Sequence, residues 1–374
     1  MSSNKNKSDY QEPRITRTIR NDFKQTKIKD EFKSEYKDLK YYFLNEERKK
    51  KLEGMNIFKK IFLLPWWLLK ALYFRLTPFR RLLLFAGILA IITSGNIVTD
   101  NGDTIVNINL SAIVGGIIFL FILALELKDK LLAKTELEEG RAIQLALMPE
   151  RSPKIPGWDI WLFTRSANDV GGDLLDFVKI SDKKFGIAVG DVAGKGLSAA
   201  LLMAKLQSTI RALVYDSQSL ADLGGKLNRI FHRDSLPKIF ASMIYAELSI
   251  DSGTIKFINA GHFPPMLIRK GKIEQLHKDA PALGIILESV FKEKIISLDQ
   301  NDFMVVYSDG LTEAQNESGE FFGEARLIEL MKNSESKSSA QLGEFILTNV
   351  DTFTGKNPAH DDLTLVVLKK VNDL

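Results

Sequence analysis

Residues 185–196 read FGIAVGDVAGKG, and the order of residue types there decides how the rest of the chain is read. Phe185 to Val189 form a short apolar run with the length of a buried strand. Asp191 comes directly after that run, with Gly190 before it and Gly194 and Gly196 beyond. Aspartate is disfavoured inside strands, so it is predicted at the strand's end. The pattern recurs downstream: FMVVY at 303–307 leads into Ser308-Asp309-Gly310, and LTLVVL at 363–368 follows His360-Asp361-Asp362. Upstream, NDVGGDLLDF sets Asp173 behind Gly171 and Gly172, whose missing side chains allow close backbone approach. Antiparallel pairing could bring Asp191, Asp309 and Asp361 to one sheet edge. With Asp173, four carboxylates there would repel one another by roughly several kcal/mol at low dielectric. Only cations make such a cluster tolerable, which is what a dinuclear metal site looks like in sequence.

Around these motifs the chain alternates short β-rich runs with helical segments. Strands are predicted at 158–164, 184–189, 240–248, 254–259, 265–269, 303–307 and 363–368. Helices are predicted at 196–214, apolar over most of its circumference and so buried, and at 219–231, 324–332 and 338–353, which are amphipathic. Strands in consecutive groups with helices between the groups predict an α+β layered domain rather than a regular βαβ alternation.

The motifs GGD, GDVAGKG, SDG and DDLT, in that order, are far more specific together than any one alone. With RAIQLALMPE at 141–150, NAGHFPP at 259–265, APALG at 280–284 and EFFG at 320–323, residues 141–371 resemble the metal-dependent PPM-type serine/threonine phosphatases. The branch they resemble is the bacterial one named after the sporulation stage II E phosphatase and the sigma-factor regulators. The resemblance implies an α-β-β-α layered sandwich with two Mn²⁺ or Mg²⁺ ions bridged by Asp191. It also implies that Asp173 binds through water, that Val192 lends its carbonyl, and that Asp309 and Asp361 complete the ligands. Asp362 stands beside the last ligand, so which of the adjacent carboxylates binds stays open. A water acidified between the ions would attack phosphorus without a phosphoenzyme. Asp191, Asp309 and Lys195 are the implied catalytic set, although Lys195 could equally be a solvated lysine ahead of a helix. His262 could donate a proton to the leaving group, but a glycine-bounded histidine before two prolines more often packs a turn. Val192 and Ala193 stand where eukaryotic relatives carry glycine and a catalytic histidine, which leaves the general acid unassigned. Asn228 is read as ordering its helix or its neighbours. The implied substrate is a phosphorylated cytoplasmic protein, an anti-sigma-factor antagonist.

Composition narrows the alternatives. The 374 residues contain no cysteine, which excludes disulfides, thiolate metal sites and cysteine nucleophiles. Four histidines are too few for a multi-histidine cage, so any metal is held by oxygen donors and is a hard ion. Leu174 stands where a diguanylate cyclase GGDEF motif needs an acid, and Gly190 and Gly194 enclose three residues where a P-loop needs four. The remaining rival is a phosphatase-shaped domain that binds without turnover.

The first 81 residues carry 21 Lys and Arg against 10 Asp and Glu, and the rest carry 30 against 37. A basic leader at 1–60 is followed by an interfacial amphipathic segment at 61–81, with Pro65 breaking it and Trp66 and Trp67 among lysines. Residues 82–126 are read as two transmembrane helices, 82–99 and 104–125, joined by a short external loop. Arg75, Arg80 and Arg81 precede the pair, and Lys128, Lys130 and Lys134 follow it, so both ends are placed in the cytoplasm. This makes the chain a multi-pass protein of the inner membrane whose leader meets anionic lipid, not nucleic acid. Residues 127–148 form a helical linker that could pair with a second copy, and 149–374 form the domain.

Overall fold

The computed structural model describes Leu44 and residues 46–372, apart from 94–96, 101–104, 109, 278–279, 333 and 335. The basic leader thus lies mostly outside the described residues. The chain divides into two compact units, 1–130 and 131–374.

The first unit contains α1 (Glu46–Glu53), α2 (Ile57–Arg75), α3 (Pro78–Ile92), a two-stranded antiparallel ribbon of β1 (Ile97–Asp100) and β2 (Ile105–Ile108), and the start of α4 (Leu110–Leu147). Two expectations change here. Pro65 does not break α2, because one missing N–H removes one hydrogen bond and leaves the apolar turns on either side in register. The segment 61–81 holds the rest of α2, to Arg75, and the start of α3, from Pro78. The expected first span ends early: α3 has 15 residues, about 22 Å at 1.5 Å per residue against a hydrocarbon core of about 30 Å. The β-branched Ile97, Val98 and Thr99 that lie beyond α3 favour extended backbone and form β1. Among the described residues one helix, α4, is long and apolar enough to cross a membrane.

Helices α3 and α4 run antiparallel at close quarters. A side chain on Gly115 would meet Ile91 and the Gly87 carbonyl, and one on Gly87 would meet Ile118. At the other end Arg80 donates to Glu126 and Asp129, both at 2.6 Å. The linker helix is continuous with the apolar stretch, as expected, because good helix formers run to Leu147 before Pro149.

The second unit is a sandwich of two five-stranded antiparallel sheets. One has the order β10-β7-β6-β5-β4, from β4 (Asp173–Ser181), β5 (Lys184–Val192), β6 (Ala241–Ser249), β7 (Thr254–Ala260) and β10 (Lys294–Ser297). The other has the order β3-β12-β11-β8-β9, from β3 (Trp158–Arg165), β8 (Met266–Arg269), β9 (Lys272–Gln275), β11 (Phe303–Tyr307) and β12 (Leu363–Lys370). Helices α5 (Leu197–Leu213) and α6 (Leu220–Asp234) cover the first sheet, and α8 (Gly323–Met331) and α9 (Ser339–Thr354) the second, with a single turn α7 (Asp309–Thr312) after β11.

Period-two alternation builds the layers. Met304, Val306, Val366 and Leu368 face the opposing sheet, where they meet Ile187, Val189 and Phe257. Their neighbours Val305, Tyr307, Leu365 and Val367 face Leu342 and Ile346 of α9. The predicted α-β-β-α sandwich is therefore the architecture, although β4, β9 and β10 were not among the predicted strands. Helix α5 is less enclosed than its composition suggests, since Leu197 and Leu201 are exposed.

Candidate active site

Strand register assembles the site. Asp173 begins β4 directly opposite Asp191 near the end of β5, so two carboxylates share one end of the first sheet. In the second sheet Tyr307 pairs with Leu365, which carries Ser308-Asp309 and Asp361-Asp362 to one end. Hydrogen bonds then join the two sheets there. The Asp173 carboxylate accepts from Ser308 Oγ (2.9 Å) and Thr364 Oγ1 (2.6 Å). Thr164 lies 2.9 Å from Thr364, and since the Thr364 proton serves Asp173, Thr164 is the donor of that pair.

The adjacent carboxylates Asp361 and Asp362 occupy different surroundings. Asp362 is buried and accepts backbone N–H bonds from Ala167 (2.8 Å) and Gly172 (2.6 Å). The loop passes so close that a Cβ on Gly171 would run into Asp362, and one on Gly310 into the Asp362 carbonyl. Asp361 is partly exposed and lies 3.1 Å from Lys195 Nζ, which also donates to the His360 carbonyl at 2.7 Å. Lys195 stands between Gly194 (φ +127°) and Gly196 (φ +70°), backbone that glycine adopts readily. Val192 is fully buried, its carbonyl turned toward Gly172.

The electrostatics record the crowding. Burial raises Asp191 to about 7, aided by the charges of Asp309, Asp361 and Asp362 and opposed by Lys195. Asp309 is raised by burial and then by Asp361 and Glu313. Asp173 lies well above the carboxylate range, chiefly through burial, with Asp191 and Asp362 adding to the effect and the two hydroxyls working against it. Among the described residues no three acidic or histidine side chains stand as a closed ligand group. The contacts explain this, because Asp173 is turned to its hydroxyls and Asp361 to Lys195. The donors are all oxygen, and Lys195 offsets the field between them only in part, leaving Asp191 and Asp309 raised, so the residues fit a hard divalent cation.

Other predicted residues fall elsewhere. His262 is buried, with Nδ1 2.8 Å from Ser242 Oγ and its backbone bracketed by the Asn259 amide. It packs the turn, as one of its two readings required. Asn228 orders the 284–287 loop rather than the carboxylates. Gln144, near the end of α4, is a site-supporting residue that the sequence reading did not single out. Its amide exchanges two hydrogen bonds with Gly171, donating to the carbonyl (2.8 Å) and accepting from the N–H (3.1 Å). Gln207 and Arg211 of α5 donate to the Leu147 carbonyl. Arg211 also forks onto Asp176, fully buried on β4, at 2.7 and 2.8 Å. The last turn of α4 is thereby fastened to the strand that carries Asp173.

Residues 181–371 match the model of the stage II sporulation protein E (SpoIIE) family. The chain belongs to the SpoIIE family. It is 28% identical to the phosphoserine phosphatase RsbU of Bacillus subtilis over 63% of this chain and 70% of that protein. It is 27% identical to protein IcfG of Synechocystis sp. over 66% of this chain, but over 43% of that relative. With RsbP of Bacillus subtilis, also a phosphoserine phosphatase, the identity is 26% over 64% of this chain and 59% of that relative. The SpoIIE domain's fold is shared with the SiaA PP2C domain of Pseudomonas aeruginosa, at TM-score 0.56 and 18% identity, covering 64% of this chain and 98% of that one. It is shared too with the PP2C phosphatase domain and regulatory-domain fragment of SpoIIE from Bacillus subtilis, at TM-score 0.50 and 17% identity, covering 58% and 64%.

Proposed function

We propose that the chain is a membrane-anchored protein phosphatase that hydrolyses phosphoserine or phosphothreonine on a cytoplasmic signalling protein, with an anti-sigma-factor antagonist as the substrate class. The observation that carries this reading is the gathering of Asp173, Asp191, Asp309 and Asp361 at one end of the sandwich, where burial and then the charges of Asp309, Asp361 and Asp362 raise Asp191 to about 7. Asp191, Asp309, Asp361 and the Val192 carbonyl would hold two Mn²⁺ or Mg²⁺ ions, with Asp173 acting through water. Asp362 is assigned to the loop, because backbone N–H groups already occupy its oxygens. Bound ions would neutralise the phosphate and acidify a water for attack on phosphorus.

The chain's own residues do the rest. Ser308, Thr364 and Thr164 fix Asp173, and Asp362 holds the Gly171-Gly172 approach. Lys195, on its glycine-flanked turn, brings one cation to the phosphate. Beside Asp361 opens a cavity of about 270 Å³ lined by Arg165, Glu313, Asp351 and Asn357, wide enough for the residues flanking a phosphoserine.

Helices α3 and α4 are the proposed anchor in the inner membrane, with the leader and domain on the cytoplasmic side. Outward-facing Phe85, Leu120 and Leu123 support this, as does the asymmetry of basic residues. Exposed Phe58, Phe62, Trp66 and Leu69 on α2 suit the lipid interface, and exposed Leu131, Leu132, Ile143 and Leu145 on α4 suit pairing with a second copy.

Release of p-nitrophenol from its phosphate ester by the full chain, with and without Mn²⁺, tests the reading. Turnover should require the metal, whereas a binding domain without catalysis shows no metal-dependent rate.

A further inference from the structure

Asn228, fully buried on α6, anchors a loop that does not touch the carboxylates. Its Nδ2 donates to the carbonyls of Ile286 (2.9 Å) and Leu287 (2.8 Å), and its Oδ1 accepts from the Gly284 N–H (2.9 Å). Ser289 Oγ donates to the Ile286 carbonyl at 2.7 Å, and His232 Nδ1 lies 2.8 Å from the Gly284 carbonyl. Leu283 exchanges two backbone bonds with Ala241, and Phe291 is buried against α6. The backbone is thus fastened along its length, yet Ile285, Ile286, Leu287 and Val290 are 52, 54, 45 and 75% exposed. Leu236 and Phe240, before the strand that Leu283 joins, are 69 and 40% exposed.

Single exposed apolar side chains are ordinary, but six on one fixed rim form a docking face. Its place in the sheet says what docks. Ala241 pairs with Leu283 and also with Val192, and the Ala193 N–H donates to the Phe240 carbonyl at 2.8 Å. Two strand spacings of about 4.8 Å put Leu283, just before the ridge, about 10 Å from the strand that carries Asp191. That is farther than a phosphoserine reaches and within reach of the folded protein that bears it. Exposed Glu288 in the middle of the ridge disfavours an anionic lipid surface.

We propose that the 284–290 ridge docks the folded body of the phosphoprotein substrate, through an apolar patch beside its phosphoserine. This rests on the phosphatase reading, and the test separates the two. The full chain in nanodiscs, as wild type, Ile286→Ser and Val290→Ser, is titrated calorimetrically with a phosphorylated anti-sigma-factor antagonist. Turnover of p-nitrophenyl phosphate with Mn²⁺ is measured in parallel. Each substitution should raise the Kd about tenfold or more, as loss of an interface anchor does, with small-ester turnover unchanged. An unchanged Kd, failure of the wild type to bind the antagonist, or equal loss of both activities overturns the ridge. So does a shift from dimer to monomer at constant Kd, which would assign the ridge to a second copy. Ridge-dependent binding without small-ester turnover would refute the phosphatase reading and leave the docking face standing.

Discussion

Large apolar side chains obey opposite rules in the two units. In the sandwich Trp161, Tyr245, Phe257, Phe303 and Tyr307 are at most 1% exposed, while in the N-terminal unit Phe62, Trp66, Leu82 and Leu120 are 79, 62, 70 and 67% exposed. Carboxylates invert the pattern. Asp173, Asp176 and Asp362 are buried in the sandwich, whereas Glu126 and Asp129 keep nearly half their surface. In water alone, each exposed large side chain forgoes about 1.5–3 kcal/mol of burial, and each buried carboxylate lacking a full set of donors is a standing cost. The proposed partners account for both: lipid for the exposed apolar side chains of the helices, and cations for the crowded Asp191 and Asp309, which burial and neighbouring charges raise.

The largest effect expected on the sandwich side is chemical. Asp191→Asn or Asp309→Asn should lower Mn²⁺-dependent turnover by about a thousandfold or more with an unchanged circular dichroism spectrum. A loss below about tenfold would mean that the gathered charges serve something other than cations.

A paired truncation probes the contrast itself. Phe257→Ala should cost about 3–5 kcal/mol in urea unfolding, because its ring lies between the sheets. Phe62→Ala should change that stability by less than about 0.5 kcal/mol while weakening sedimentation with anionic liposomes. Equal effects on stability would erase the distinction between the units.

Gln144→Ala should destabilise the sandwich by about 1–3 kcal/mol, read by the same unfolding curve, because it strands the Gly171 N–H and carbonyl in a buried loop. The smallest effect is a slope with pH. In chelator, Asp191 holds a proton in the folded state up to about 7, where the unfolded residue holds one only to about 4. Stability should therefore fall as pH rises from about 4 to about 7. Saturating Mn²⁺, which selects the ionised carboxylate, should flatten or reverse that slope.

The same physics explains what could be read in advance. The sandwich was legible because FGIAV, FMVVY and LTLVVL each have an aspartate at one end, after the first two runs and before the third, and a recurring strand-end acid is hard to explain otherwise. β4 was not, because DLLDFVKIS carries two acids, and the partner that permits Asp176 to be buried is Arg211, 35 residues on. β9 and β10 are four-residue strands opening with lysine, too short and polar to stand out. At the site, Asp361 and Asp362 look alike in sequence. Their roles part only where Gly172, 190 positions earlier, donates to Asp362. Gln144 is one amide among many until α4 meets Gly171. The extent of the helix at the first expected span was not legible, because the lack of charge from Leu82 to Thr99 does not mark helicity, and α3 ends at Ile92 while the β-branched Ile97, Val98 and Thr99 lie in β1.

The most direct test is a Mn²⁺ titration of the full chain followed by the electron paramagnetic resonance signal of the free ion. The wild type should remove two Mn²⁺ per chain from solution, and Asp191→Asn should bind at least about a hundredfold more weakly, consistent with loss of a ligand shared by both ions. Mn²⁺ remaining free in the presence of the wild type, or binding equally to both proteins, would contradict the assignment of this carboxylate cluster as a metal centre.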